Sequence, residues 1–311
     1  MTRIFFATDL HGSELCWRKF LNAAKFYEAG VLICGGDMTG KAMIPIIEEN
    51  GRFTVTMADQ QQVLGPDQLG EVENQIRRKG YYPLRVTPER LHEIDKDAEY
   101  RSATFREVML DGVRRWMGMA ADKLGDSNVR IFVCPGNDDE MEVDDVIRES
   151  KKVELGEGRL VEIDGYSMIS TGWSNHTPWN THREETEEKL AERIDAMAKQ
   201  VTDPTHAIFN LHCPPYQSGL DEAPAIDKDL KLLHGGRALR PVGSTAVRQA
   251  IDKYQPLLSL HGHIHESKGA VKLGKTLSIN PGSSYEEGIL MAAIITLDAK
   301  KGVKSYQLVN G

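Results

Sequence analysis

Five places along the chain set metal-capable side chains beside turn-forming residues. They are Asp9-Leu10-His11, Gly36-Asp37, Gly136-Asn137-Asp138-Asp139, His212 and Gly262-His263-Ile264-His265. Carboxylate, amide and imidazole groups together suit borderline divalent metals better than calcium, which takes oxygen ligands. Taken singly, each place has a plainer reading. A carboxylate at a strand end also serves as a helix cap, which fits Asp9 and Asp37. A lone histidine such as His212 also fits a hydrogen-bonded structural role. The His-Ile-His triplet is more specific, because residues i and i+2 of an extended segment point the same way.

What unites the five is the kind of element before them. Residues 3–8, Val31–Cys34, Val129–Cys134, Ala207–Leu211 and Leu257–Leu260 are short apolar runs that read as buried strands. Each runs directly into one of the polar clusters. In open α/β sheets that end of the strands is where ligands bind. Ser13 is placed to cap a helix reaching about Ala29, with Gly30 as its stop. Thr181-His182-Arg183-Glu184 reads as a capping box opening a helix whose inner face carries Leu190, Ile194 and Met197. Thr245–Tyr254 is a further helix. Strands are expected at 159–163, 167–171, Ala270–Leu273, Thr276–Ile279, Ile289–Thr296 and Val303–Val309, suggesting a second sheet packed on the first.

Between Asp37 and Gly136 lie about a hundred residues, far more than one crossover needs. Thr87-Pro88-Glu89 is a helix start with proline at the first helical position. Apolar residues from Leu91 to Ala120 then follow at mostly helical spacing, as one long helix or a helix with a break from about 88 to 124, and Gln68–Lys79 suggests another helix. The stretch from about 41 to 126 is therefore expected to be a helical insertion over the site, with a plain helical layer or a self-association surface as the alternative.

The 311 residues are 40% hydrophobic and 27% charged, as expected of one globular domain spanning 1–311. With 38 basic and 46 acidic residues the net charge is −8, which gives no support for a surface that coats nucleic acid. Cys16, Cys34, Cys134 and Cys213 form no CxxC pair and read as reduced thiols of a cytoplasmic protein. The apolar run at the start is too short for a signal peptide, and no run approaches membrane-spanning length, so no membrane partner is expected.

In this order, Asp9/His11, Asp37, Asn137, His212 and His263/His265 resemble the calcineurin-like metallophosphoesterase superfamily, whose pattern is D-x-H, G-D, G-N-H-D/E, a lone H, and G-H-x-H. The segments Gly172–Pro178, His212–Tyr216 and Asn280–Ser283 look like its branch of Icc-related predicted phosphoesterases. The resemblance implies a four-layer α/β/β/α sandwich with two metal ions at one edge. Asp9, His11, Asp37 and His265 would hold one ion. Asp37, Asn137, His212 and His263 would hold the other, with Asp37 bridging. Manganese, iron or zinc would fit. A hydroxide shared by the two ions would attack phosphorus in line, opposite the leaving oxygen. The implied function is hydrolysis of a phosphoester, with a phosphodiester of a small nucleotide-like substrate as the leading reading. A phosphomonoesterase or nucleotide pyrophosphatase is the alternative. A non-catalytic binding scaffold is the contrasting class, but such a scaffold is expected to have lost ligands.

One position departs from the pattern. The histidine that would follow Gly-Asn and protonate the leaving group is Asp138 here. A carboxyl beside two cations is a poor acid. His176, Asp138 and Asp139 are the candidates for that role. Asn137, Asn175 and His176 are the expected substrate contacts, in a rim that includes Trp173 and Trp179.

Overall fold

The computed structural model describes residues 1–57 and 59–311. Two six-stranded sheets form its centre. The first runs in the order Gly302–Asn310, Met291–Asp298, Thr2–Ala7, Val31–Cys34, Arg130–Val133 and Val153–Leu155. The second runs Gly269–Leu273, Thr276–Asn280, Leu258–Leu260, Ala207–Leu211, Tyr166–Thr171 and Arg159–Ile163.

Side-chain alternation along the strands explains the layering. Ile4, Phe6, Val31 and Ile33 point between the sheets and meet Met168, Ile208, Leu258 and Leu260. Phe5, Ala7, Leu32 and Cys34 point the other way, against Trp17, Phe20 and Trp116 of an outer helical layer. The indole rings of Trp17 and Trp116 stack at 4.9 Å. On the far side, Ile169, Phe209 and Leu211 pack on Leu190, Ile194, Val247 and Ile251 of the helices Glu187–Ala198 and Thr245–Tyr254. The result is the expected α/β/β/α sandwich.

The central strands are parallel and end in step. Ala7 pairs with Cys34, and Cys34 with Val133. In the second sheet Leu211 pairs with Thr171, and Leu260 with Asn210. The polar clusters that follow these strands therefore emerge along one edge of the sandwich.

Several local expectations are corrected. The 41–126 segment is not simply helical. It carries a four-stranded sheet in the order Gln60–Leu64, Arg52–Met57, Met43–Glu49 and Tyr82–Val86, with a small core of its own around Ile46, Val55 and Ile76. Pro45 obscured the strand it lies in. The sheet tolerates it because the pairing to Arg52–Met57 begins only at Ile46. Of the two forms expected after Thr87, the helix takes the broken one: it parts at Asp97, whose carboxylate accepts the N–H groups of Glu99 and Tyr100, and Ala98–Leu124 joins the outer layer of the first sheet.

The helix expected to open at Thr181 begins at Glu187, capped by Thr186. The first helix stops at Phe26, before Gly30. The last two strands return to the first sheet and do not extend the second. All four cysteines are buried and free. No helix among the described residues is long and apolar enough to cross a membrane.

Candidate metal centre

Backbone hydrogen bonds weld the strand ends together before any side chain is considered. Asp9 donates its N–H to the carbonyl of Gly36, His11 to that of Asp37, and Gly262 to that of His212, each at 2.9 Å. The turns are tight. Asp9, His11, Asp37 and His263 all lie at positive φ, between 41° and 67°, a region that disfavours side chains other than glycine. Such conformations persist where the surrounding structure dictates them, and they cluster at functional sites.

Glycines make the close approach possible. A Cβ on Gly36, whose φ is 144°, would lie 2.1 Å from Nδ1 of His212. One on Gly136 would lie 2.2 Å from Oδ1 of Asp37. The glycine before each motif residue thus lets a neighbouring metal-capable side chain reach the cluster.

The side chains at these positions lie close together. His11 Nε2 and His265 Nε2 are 3.1 Å apart, and His265 Nε2 is 3.5 Å from Asp9 Oδ1. His212 Nε2 is 3.4 Å from Asp37 Oδ2 and 3.9 Å from Asp9 Oδ1. Asn137 Oδ1 is 3.0 Å from the same nitrogen. His11 Nε2 is 3.8 Å from Asp37 Oδ2, so Asp37 stands between the two histidine groups. Asp9, His11 and His265 form one set of mutually close ligand atoms, and Asp37, His212 and His263 form a second.

This donor set fits divalent cations. Two imidazole nitrogens 3.1 Å apart cannot both present lone pairs to each other without a proton or a cation between them. Nδ1 of His11 is buried with no hydrogen-bond partner. His212 is oriented from behind, since Nδ1 faces the carbonyl of Gly35 at 3.1 Å and leaves Nε2 for the cluster. His263 N–H donates to the Asp9 carboxylate at 3.1 Å.

The charges of the metal-free cluster are set by these contacts. Burial pushes the Asp9 carboxyl up, but the His265 and His212 rings outweigh it and bring it down to about 2. Burial works against the Asp37 carboxylate too, and His212 and His11 hold it well below the usual range. Burial lowers His11 and His263 to about 4, so both rings are neutral at pH 7. Burial would lower His212 as well, yet Asp37 and Asp9 raise it to about 9. His265 is raised in the same way, by Asp9 against burial.

Metal uptake requires neutral imidazoles, so it must displace these protons. At pH 7 binding is expected to release about one to two protons, and affinity to rise about tenfold per pH unit per proton released, up to about pH 9. Titration calorimetry in buffers of different ionisation enthalpy reads this number directly. Proton-neutral binding would contradict the geometry. In the metal-free protein the raised His212 value stabilises the fold fully below about pH 6.5, and that contribution is lost as pH rises through about 9.

Asp138 sits on the cavity side of the cluster. Its backbone N–H donates to Asp37 Oδ1 at 2.9 Å, and its Oδ2 lies 2.6 Å from Lys41 Nζ and 3.8 Å from His11 Nδ1. Burial and Asp37 push its carboxyl up to about 6, against the pull of Lys41. Nothing in the sequence singles out Lys41; only the fold delivers it. Asp139 is corrected as a candidate acid. It is fully buried and accepts the N–H groups of Met38, Thr39 and Gly136 and the Thr39 hydroxyl, so it clamps two loops together.

The Thr181–Glu184 motif is likewise a loop clamp. Glu184 accepts the backbone N–H and hydroxyl of both Thr177 and Thr181. Thr181 Oγ1 in turn receives Asn137 Nδ2 at 2.8 Å.

A cavity of about 1110 Å³ opens onto His11, Asp37, Asn137, Asp138, His263 and His265. His176 and Trp179 reach it and are largely exposed. Asn175 lines it too, but its amide is engaged, accepting from Cys213 Sγ at 2.9 Å and donating to the Val242 carbonyl at 3.4 Å. Trp173 instead packs on the second sheet's helical layer beneath the Arg193 guanidinium. Part of the cavity wall comes from a hairpin, Glu222–Pro224 with Leu239–Pro241, for which the sequence offered no strand signal.

No family model matches the chain. The uncharacterized protein MJ1162 of Methanocaldococcus jannaschii is 31% identical over 156 residues, 49% of this chain. That match spans 64% of the relative's length. One solved crystal structure superposes with a TM-score of 0.58 at 13% identity, covering 99% of this chain and 98% of its own. TT1561 of Thermus thermophilus superposes at 0.51 and 14% identity, covering 100% and 98%. At such identities the likeness speaks to fold. The likeness shows the fold, and the motifs that resemble the calcineurin-like metallophosphoesterase superfamily meet at one edge of that sandwich.

Proposed function

We propose that the protein is a metal-dependent phosphodiesterase with a dinuclear centre. One observation carries this reading: two close groups of Asp and His ligand atoms lie side by side, and His11, Asp37, His263 and His265 of them line one cavity. Asp9, His11, Asp37 and His265 would hold one ion, and Asp37, Asn137, His212 and His263 the other, with manganese, iron or zinc suiting the mixed donors. When bound, such ions supply Lewis acidity and lower the pKa of water.

In the reaction, a water oxygen forms a new bond to phosphorus and the bond to the leaving oxygen breaks. One water proton is lost from the nucleophile, and the leaving alkoxide gains one. The chain's own groups position and charge-balance this exchange. Asn137 is held by Thr181 and His212 beside the reacting region. Lys41, on the cavity wall, brings a cation to a developing negative charge. Asp138 orients that lysine. His176 stands at the rim as a second group able to contact substrate. The Asp138 carboxylate also favours a diester, which brings one negative charge to the site where a monoester brings up to two.

The decisive experiment is hydrolysis of bis-p-nitrophenyl phosphate by protein stripped of metal and reloaded with manganese, iron or zinc. Turnover with about two ions bound per chain is expected. Bound metal without turnover on any ester would favour a binding scaffold.

Lys41→Met is expected to lower kcat/KM by about ten- to a hundredfold, more for alkyl than for aryl leaving groups. Aryl esters of graded leaving-group pKa measure the same point as a slope. The slope should steepen in Lys41→Met and, if Asp138 acts with it, in Asp138→Ala. Unchanged slopes would remove both from leaving-group stabilisation.

A further inference from the structure

Part of the cavity lining has a different chemistry from the metal-capable cluster. It includes Phe105 and Met109 of the long helix and Pro224, Ile226 and Leu232 of the hairpin segment. Leu232 is 59% exposed although it lines the cavity, and Leu230 and Leu239 on the same hairpin segment are 49% and 55% exposed. An exposed leucine lining a cavity, with two more exposed on the same segment, is apolar surface waiting for a cover. At about 1110 Å³ the cavity is also far larger than a phosphate group requires.

Two of the polar groups that line the cavity are engaged within the protein. The Asn175 amide is held by Cys213 and Val242. The Glu187 carboxylate accepts from Ser244 Oγ and from the N–H groups of Thr245 and Ala246. An aliphatic chain needs no such partners.

The geometry points to an amphiphilic phosphodiester as the substrate class: a phosphate at the Asp/His cluster and an alkyl or acyl chain along Phe105, Met109, Ile226 and Leu232. This rests on the phosphodiesterase reading above. The chain occupies the side that is retained on phosphorus, or the leaving alcohol, without changing the bonds made and broken.

The test uses the metal-loaded full chain and a series of p-nitrophenyl alkyl phosphates, from methyl to octyl, which share one leaving group. kcat/KM should rise about tenfold or more along the series, since each fully buried methylene contributes up to about fourfold. Leu232→Ser and Ile226→Ser should each reduce the octyl-to-methyl ratio. Leu232 is exposed and Ile226 partly so, and retention of the wild-type melting temperature confirms that the fold survives either change.

Turnover of the methyl ester with no gain for octyl overturns the inference and leaves the phosphodiesterase reading intact. So does a p-nitrophenyl thymidine phosphate that outruns octyl. No turnover of any ester by the loaded protein defeats the phosphodiesterase reading itself. Phosphatidylglycerol vesicles distinguish the source of the chain. Competition with the octyl ester supports the inference with a bilayer lipid as the source, and unchanged octyl turnover supports it with a soluble amphiphile.

Discussion

Asp37→Ala is expected to abolish metal-dependent hydrolysis, by at least about a thousandfold in kcat, because it removes the carboxylate that stands between the two histidine groups. Its carboxylate lies 3.4 Å from His212 and 3.8 Å from His11, and it accepts the N–H of Asp138. Loss of the carboxylate therefore strikes both halves of the site and the loop that carries Asn137. Metal analysis after dialysis should show less than the wild-type content. Asp37→Asn separates shape from charge, since it keeps the size and a carbonyl oxygen and removes the negative charge. Wild-type metal content and turnover in either variant would be incompatible with a bridging role. Residual activity near the wild-type level in Asp9→Asn but not in Asp37→Asn would single out the second ligand set as the one that matters.

Arg183→Met is expected to destabilise the fold by about 3–5 kcal/mol, although Arg183 does not line the cavity. Its guanidinium is 1% exposed. Nε donates to the carbonyl of Asp139 at 2.9 Å, and Nη2 to the carbonyl of Glu140 and to Asp144 Oδ1, both at 2.8 Å. Its own backbone N–H donates to the carbonyl of Asn137 at 3.1 Å. This one residue staples the Gly-Asn-Asp-Asp loop to the segment that leads into the helix Glu187–Ala198. Methionine fills the space but leaves the Asp139 carbonyl unpaired, the Glu140 carbonyl with only the Val143 N–H and the Asp144 carboxylate with only Arg148. The melting temperature should fall by about 10 °C. Arg183→Lys restores the charge without the planar fork and should recover part of the loss. A change below about 1 kcal/mol in urea unfolding would show that water replaces the lost bonds.

The strand signals and the site were legible together because one pattern encodes both. An apolar run must bury itself and must end, and where it ends beside a polar turn the sheet places a side chain at its rim. Val31–Cys34 followed by Gly36-Asp37, and Leu258–Leu260 followed by Gly262-His263-Ile264-His265, are examples. The inserted sheet was hidden for the opposite reason. Its strands are half exposed and rich in Glu and Gln, as in Gln60–Leu64, and Pro45 interrupts one of them. Thr181 and Glu184 have the spacing of a helix start, but Glu184 commits its oxygens to Thr177 and Thr181, so the helix waits for Thr186.

From its sequence alone the chain declares which side chains can bind metal and which strand precedes each, because both follow from residue type and short-range periodicity. Lys41 beside Asp138, the left-handed turns at Asp9, His11, Asp37 and His263, and Phe105 and Leu232 in one cavity wall with the cluster belong to the tertiary structure. Each depends on contacts between segments far apart along the chain, whose formation is governed by the packing of two whole sheets and not by any local pattern.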